Sequence, residues 1–342
     1  MSTETARVLS ANGWRQACRM TLGAIGGWSI ASLLGWSSVS MYAVFPLVLM
    51  GLVPMLNRHV VRQFLSSAVI AMTSAGIILT LPSSSPVSMA VVFAVYALSC
   101  FWLMTAPRMF LLGATSLIMG SILLHQGSYP STHWDALFWG VGRAAVCTVL
   151  LATVAYAIFP DVQPRAVPPS PIHSSEQRRH LIILGSTAAT LSFCAFQIMD
   201  LADAQAAQVA SDLVLLALTR DAIWRAGKGR LGGTTMGTLF ALLAQLVLLG
   251  YSENWLLTGM VLLVGLIYFS ADHARQNAGP AHGFAAVTSL AILFGQLAPG
   301  DDLVGNALYR AFSVVISVCC MMAVVTLIHH ALNRFAPVRW DT

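Results

Sequence analysis

The chain reads as an all-α integral membrane protein of about 12 transmembrane helices, built as two parallel six-helix repeats with both termini in the cytoplasm. Three observations lead there. Of its 342 residues, 57% are hydrophobic and only 9% are charged, with a mean hydropathy of +0.75, which places it outside the water-soluble class. Twelve apolar runs follow one another, and spans of about 20 residues each need about 240 residues, which leaves room for short loops. The basic residues keep to alternate loops.

The first span, 16–34, holds the run from Cys18 to Leu34, which lacks a small-residue cleavage site and so reads as a membrane helix rather than a removable leader. The second, 40–56, contains MYAVFPLVLMGLVPML, where Pro46, Gly51 and Pro54 weaken the helix and free backbone carbonyls that need partners. Spans 63–81, 87–105, 108–125 and 137–159 complete the first six. The second six are 180–198, 203–219, 231–250, 254–271, 282–298 and 303–331. All must be helical, because a helix satisfies its own backbone in lipid.

With the N-terminus inside, Arg58, Arg62, Arg108, Arg178, Arg179, Arg220, Arg225, Lys228, Arg230, Arg275 and Arg334 all fall on the cytoplasmic side. The opposite loops carry Asp135, Asp200, Asp203, Glu253, Asp301 and Asp302 and no Lys or Arg. That asymmetry orients the chain. The net charge of +5 is thus a topology signal and gives no reason to expect a nucleic-acid partner; the basic cluster from Arg220 to Arg230 meets anionic lipid.

A Pro- and Ser-rich cytoplasmic linker, 161–179, separates a first membrane repeat, 1–160, from a second, 180–342. Leu22-Gly23 and Asn57-Arg58 recur 162 residues later as Leu184-Gly185 and Thr219-Arg220. Arg62 and Arg230 each open a third span, and Thr115-Ser-Leu returns as Thr288-Ser-Leu. Six spans per half is an even number, so the second half enters from the same side as the first and the repeat is parallel.

Two arginines stand inside apolar spans. Arg143 lies eight residues beyond Asp135, and Arg310 eight beyond Asp302, which sets each roughly 12 Å below its aspartate. A charge at that depth costs at least about 2.5 to 3.5 kcal/mol and by default marks a site facing the bundle interior. Snorkelling to headgroups is the competing reading. The device occurs twice at corresponding positions, which favours an anion site shared by the two halves.

The eighth span carries Gln205, Gln208, Asp212 and Thr219 at steps of three, four and seven, so a continuous helix aligns them within about 60°. A carboxylate at that depth is neutralised by a proton or by an arginine, which suggests that Asp212 exchanges a proton during transport with Arg143 or Arg310 as alternating partner. The competing reading is a neutral aspartate that hydrogen-bonds between helices.

Other chemistry is poorly supported. Gly227 to Gly237, GKGRLGGTTMG, lacks the Gly-x4-Gly-Lys-Ser/Thr spacing of a phosphate loop, and Gly233-x3-Gly237 reads as small-residue helix packing. The six cysteines and nine histidines show no zinc spacing, and neither His-Glu-x-x-His nor Gly-x-Ser-x-Gly occurs. No metal, no cofactor and no enzymatic activity are expected.

A six-span unit repeated in parallel, an arginine opening the third span of the second half followed by small residues (Arg230-Leu-Gly-Gly-Thr-Thr-Met-Gly), and a last span with an early arginine resemble the fusaric acid resistance and aromatic acid exporter superfamily. The plant aluminium-activated malate transporters are distant relatives of that group. The resemblance implies efflux of aromatic or other organic carboxylic acids across a bacterial inner membrane, with a periplasmic membrane-fusion adaptor as partner. It also implies that Arg143 and Arg310 line the anion path. The chain departs from the larger exporters in lacking sizeable cytoplasmic domains, which weakens the case for an adaptor.

The expectation is therefore a proton-coupled secondary exporter of organic acids. Arg143, Arg310, Gln205 and Gln208 bind the substrate, Asp212 handles the proton, and a second copy of the chain is a candidate partner. A passive organic-anion channel and a non-transporting membrane scaffold are the alternatives.

Overall fold

A computed structural model describes residues 9–53, 55–80, 86–106, 108–129, 133–163, 174–201, 204–248, 251, 254–276, 282–296 and 303–340. Twelve α-helices follow in order: α1 (Ala11–Leu33), α2 (Val39–Leu52), α3 (Arg58–Thr80), α4 (Pro86–Met104), α5 (Phe110–Gly127), α6 (Trp134–Ile158), α7 (Ser175–Ile198), α8 (Gln205–Leu215), α9 (Arg220–Val247), α10 (Trp255–Gln276), α11 (His282–Phe294) and α12 (Leu303–Leu332). No strand occurs among the described residues. Most of the linker, Pro54, Asp203, Glu253, Asp301 and Asp302 lie outside them.

Local chemistry starts several helices. Ser10 caps α1 by accepting from the Gly13 amide, and Ser174 with Gln177 forms a reciprocal capping box on α7. Seven helices, α3, α4, α5, α6, α7, α10 and α12, are long and apolar enough to cross a membrane, so this is a multi-pass membrane protein. Three others are short: α2 has 14 residues, α8 has 11 and α11 has 13. At 1.5 Å per residue these reach only about 16 to 21 Å, less than a hydrocarbon core of about 30 Å. They are also sunk in protein, with Met41–Met50 of α2 and Ala207–Leu215 of α8 buried without a break. Helices buried on every side have no lipid face to present.

The helices group into two compact units. The first comprises Met1–Asn57, Ala144–Val167 and Lys228–Ala311, and the second Arg58–Arg143, Pro168–Gly227 and Phe312–Thr342. Neither coincides with a sequence half. In the first unit α1, α2, α11 and α10 pack as a closed ring, each helix on the next. In the second, α7, α8, α5 and α4 do the same, and α3 lies along α5. Each ring takes the first two helices of one half and the fourth and fifth of the other.

Close backbone approach builds the first unit. Pro46 has no N–H for the Tyr42 carbonyl, and that carbonyl lies against Gly27 of α1, where a Cβ would overlap it. The carbonyls near the end of α2 find side chains: Met50 accepts from Gln16 Nε2 at 3.3 Å, and Gly51 bonds the His273 ring at 3.0 Å. On α9, Gly233 and Gly237 abut the His282 and Ala286 carbonyls of α11, the small-residue packing that their spacing predicts.

In the second unit α4 meets α7 through stacked Phe93 and Phe193 rings, 4.1 Å between centroids, and through Gly185 against the Phe101 ring. Gln63 ties α3 to the start of α5, accepting from the Leu112 amide at 2.9 Å and donating to the Arg108 carbonyl at 2.7 Å.

Several boundaries differ from the sequence expectation by four or more residues, and two of the differences have clear causes. α8 ends at Leu215, and Leu218 takes a φ of 62°, so the chain turns before Thr219. Thr219 therefore leaves the polar stripe and instead caps α9, its carbonyl taking the Ile223 amide at 2.8 Å. α9 begins at Arg220, eleven residues before the expected span, despite two glycines that each cost about 1 kcal/mol in a helix. Packing sustains that turn of helix: Gly227 seats on Met322, and Trp224 Nε1 donates to Thr326 Oγ1 at 2.9 Å.

Candidate functional site

The short helix α8 carries the chemistry of the second unit. Gln208 and Asp212, one turn apart, are both 0% exposed. None of their four side-chain oxygen and nitrogen atoms has a hydrogen-bond partner. Such isolation is rare, because an unpaired buried polar group forfeits its solvation without recompense. Ser121 on α5 faces the Asp212 carboxyl, yet its Oγ is also without a bond. Tyr96 and Cys100 on α4 lie close enough to feel that carboxyl, while the Tyr96 hydroxyl donates to the Ser116 carbonyl at 2.5 Å.

Beside this centre several polar groups are paired. Ser211 and Ser317 of α12 share a hydroxyl bond of 2.6 Å, and both reach the Ala207 carbonyl, at 3.2 and 3.3 Å. Gln205 accepts from Gln126 Nε2 at 2.7 Å, which turns it toward α5. Gln208, Asp212 and Ser121 thus form an unbonded polar group beside the paired hydroxyls of Ser211 and Ser317.

The two arginines read from the sequence as intramembrane fall in different units. Arg143, in the second unit, stands on the exposed face of α6 with Trp139, Val146 and Leu150, and its Nε donates to the Trp139 carbonyl at 3.4 Å. Its side chain leans toward the helix N-terminus, as helical side chains do. Arg310, in the first unit, is half-buried on α12. No ion pair joins Asp212 to Arg143, its companion in the second unit, among the described residues. The structure brings Gln208 and Asp212 together and sets Gln205 apart, bonded to α5.

Three features escape a reading of the sequence. Ser121 and Ser317 give no signal, being small residues in apolar helices. A second polar cluster joins α7 to α12: the His180 and His329 rings approach to 2.9 Å, beside a pocket also lined by Thr219, Arg220, Asp221 and Trp340. The only hint there is two histidines in apolar surroundings. The third, Arg230, is treated below.

Residues 16–155 match a family model described as protein of unknown function (DUF2955). Residues 189–324, which include α8 with Gln208 and Asp212, match the model described as fusaric acid resistance protein-like. Comparison with curated proteins and with solved structures gives no match. Over that stretch the chain is similar to the fusaric acid resistance protein-like family.

Proposed function

We propose that this protein is a secondary transporter that exports organic, chiefly aromatic, carboxylic acids across the bacterial cytoplasmic membrane in exchange for protons. The buried, unbonded pair Gln208 and Asp212 carries the reading. A carboxyl group at membrane depth is neutralised most simply by a proton, and one that binds and releases that proton can couple its movement to transport. In this account Asp212 takes the proton and Gln208 supplies a donor and an acceptor beside it. Arg143 and Arg310, at corresponding places on α6 and α12, each meet the carboxylate of the cargo.

Two further observations support it. The family description of residues 189–324 names resistance to an aromatic carboxylic acid. The two rings of helices take corresponding members of the two halves, as a parallel repeat would. Transporters place their sites on short or broken helices whose backbone is shielded by protein, and α2 and α8 are such helices.

The test is uptake of labelled aromatic acids into inverted membrane vesicles, with and without a proton gradient. Accumulation that requires the gradient supports the reading. Flux that runs equally without it, accompanied by unitary currents, marks a passive channel instead.

A further inference from the structure

The fold shows in one place how it accommodates a structural arginine. Arg19, wholly buried in the first unit, pairs with Asp161 at 2.9 Å, donates to the Phe159 carbonyl at 3.2 Å and lies 4.1 Å over the Tyr156 ring. Arg230, in the same unit and 3% exposed, has none of these partners among the described residues. Its Nε and Nη1 are buried without a hydrogen bond. The described residues of the first unit hold two acids, and both are engaged elsewhere: Asp161 by Arg19, and Asp272 by His282 Nδ1 at 3.1 Å and Gln276 Nε2 at 2.8 Å.

Its place on the helix narrows what could balance it. Arg230, Gly233, Thr234 and Gly237 share one face of α9 by helical spacing. That face meets α11: Gly233 abuts the His282 carbonyl, Gly237 abuts that of Ala286, and Thr234 Oγ1 accepts from Ser289 at 3.3 Å. Arg230 lies one turn earlier, beyond the contact with His282, the first residue of α11. A helix N-terminus concentrates partial positive charge. The positive end of α11 therefore lies beside Arg230, and the described acid at that end, Asp272, is already bonded to His282 and Gln276.

We propose that Arg230 forms the floor of an oxyanion-binding site in the first unit, receiving a carboxylate or a phosphate ester on its guanidinium. The planar fork of an arginine suits both anions, and a buried unpaired cation is a strong attractor for either. The carboxylate would come from a small organic acid, the phosphate from an anionic lipid. The proposal does not rest on the transport reading, since it concerns binding alone.

The test is thermal denaturation of the purified full chain with two probes, as wild type, Arg230→Gln and Arg230→Lys. One probe is sodium benzoate in an uncharged detergent; the other is phosphatidylglycerol in nanodiscs, against phosphatidylcholine nanodiscs. The wild type should be stabilised saturably by at least one probe, and which one identifies the source of the anion. Arg230→Gln should lose that response and, without a probe, melt no lower than wild type, because it removes an unbalanced buried charge. Arg230→Lys keeps charge but loses the fork, so its half-saturation should rise about tenfold. The absence of a saturable response to either probe, a response preserved in Arg230→Gln, or an Arg230→Gln chain that melts well below wild type or fails to fold would each overturn the proposal. Transport measurements can succeed or fail independently of all three.

Discussion

His180 Nε2 stands 2.9 Å from His329 Nδ1, and the bonds around the pair fix both tautomers. The Val338 carbonyl can only accept, so His180 Nδ1, 2.7 Å away, carries a proton. In the neutral ring its Nε2 then accepts from His329 Nδ1. His329 Nε2 accepts in turn from Asn333 Nδ2 at 3.1 Å, and Asn333 Oδ1 takes the Trp340 amide at 2.9 Å. The chain of bonds closes only with both rings neutral, and it secures the segment after α12 against α7.

His180→Ala should leave one buried ring nitrogen of His329 and the Val338 carbonyl unpaired, a loss of about 1 to 3 kcal/mol. Limited proteolysis should then cut between Asn333 and Trp340 faster than in wild type. Unchanged cleavage would show that the tail is held by other contacts.

The Arg19 and Asp161 pair makes a sharper demand on stability. Arg19 is wholly buried, and its side chain is 1% exposed against 18% for Asp161. Asp161→Asn strands the cation and should destabilise by about 3 kcal/mol, the lower end of the range for a broken buried pair, since Asp161 keeps some water. Arg19→Met combined with Asp161→Asn should regain part of that loss. Thermal denaturation of the three chains in detergent measures it, and a double variant no better than the single would contradict the account.

Two glycines separate packing from propensity. At Gly237 a Cβ would run into the Ala286 backbone, whereas at Gly140 nothing lies within 4 Å. Gly237→Leu should abolish the monodisperse peak in size-exclusion chromatography. Gly140→Ala should leave it intact and be neutral or raise stability by up to about 1 kcal/mol.

In the transport reading, Arg143→Gln and Arg310→Gln keep normal abundance but raise the substrate concentration for half-maximal uptake about tenfold, the loss of a charge-assisted bond. A scaffold would show the reverse, with abundance reduced and resistance to toxic acids unchanged. Immunoblotting beside a growth assay distinguishes them.

Much of the helix order is legible in the sequence because long apolar runs have few other options. α4, read as 87–105, is Pro86–Met104, and α6, read as 137–159, is Trp134–Ile158. The Gly233-x3-Gly237 packing is likewise readable, since small residues at that spacing have few other uses in an apolar helix. What escapes is set by tertiary choice. Leu218 adopts a left-handed φ that no local residue demands, and that single turn removes Thr219 from α8. A helix apolar on every side carries little periodic signal, so nothing in α2 foretells which helices surround it. The isolation of Asp212 and the exposure of Arg143 follow from that packing and were equally hidden.

Asp212 is the residue on which the functional account turns, and proteoliposomes containing the purified Asp212→Asn chain test it directly. Net, concentrative uptake of a labelled aromatic acid driven by a pH gradient should fall to background. Exchange of labelled for unlabelled acid, which moves no net proton, should persist. Gradient-driven uptake that survives at the wild-type rate would contradict the assignment of the proton to Asp212.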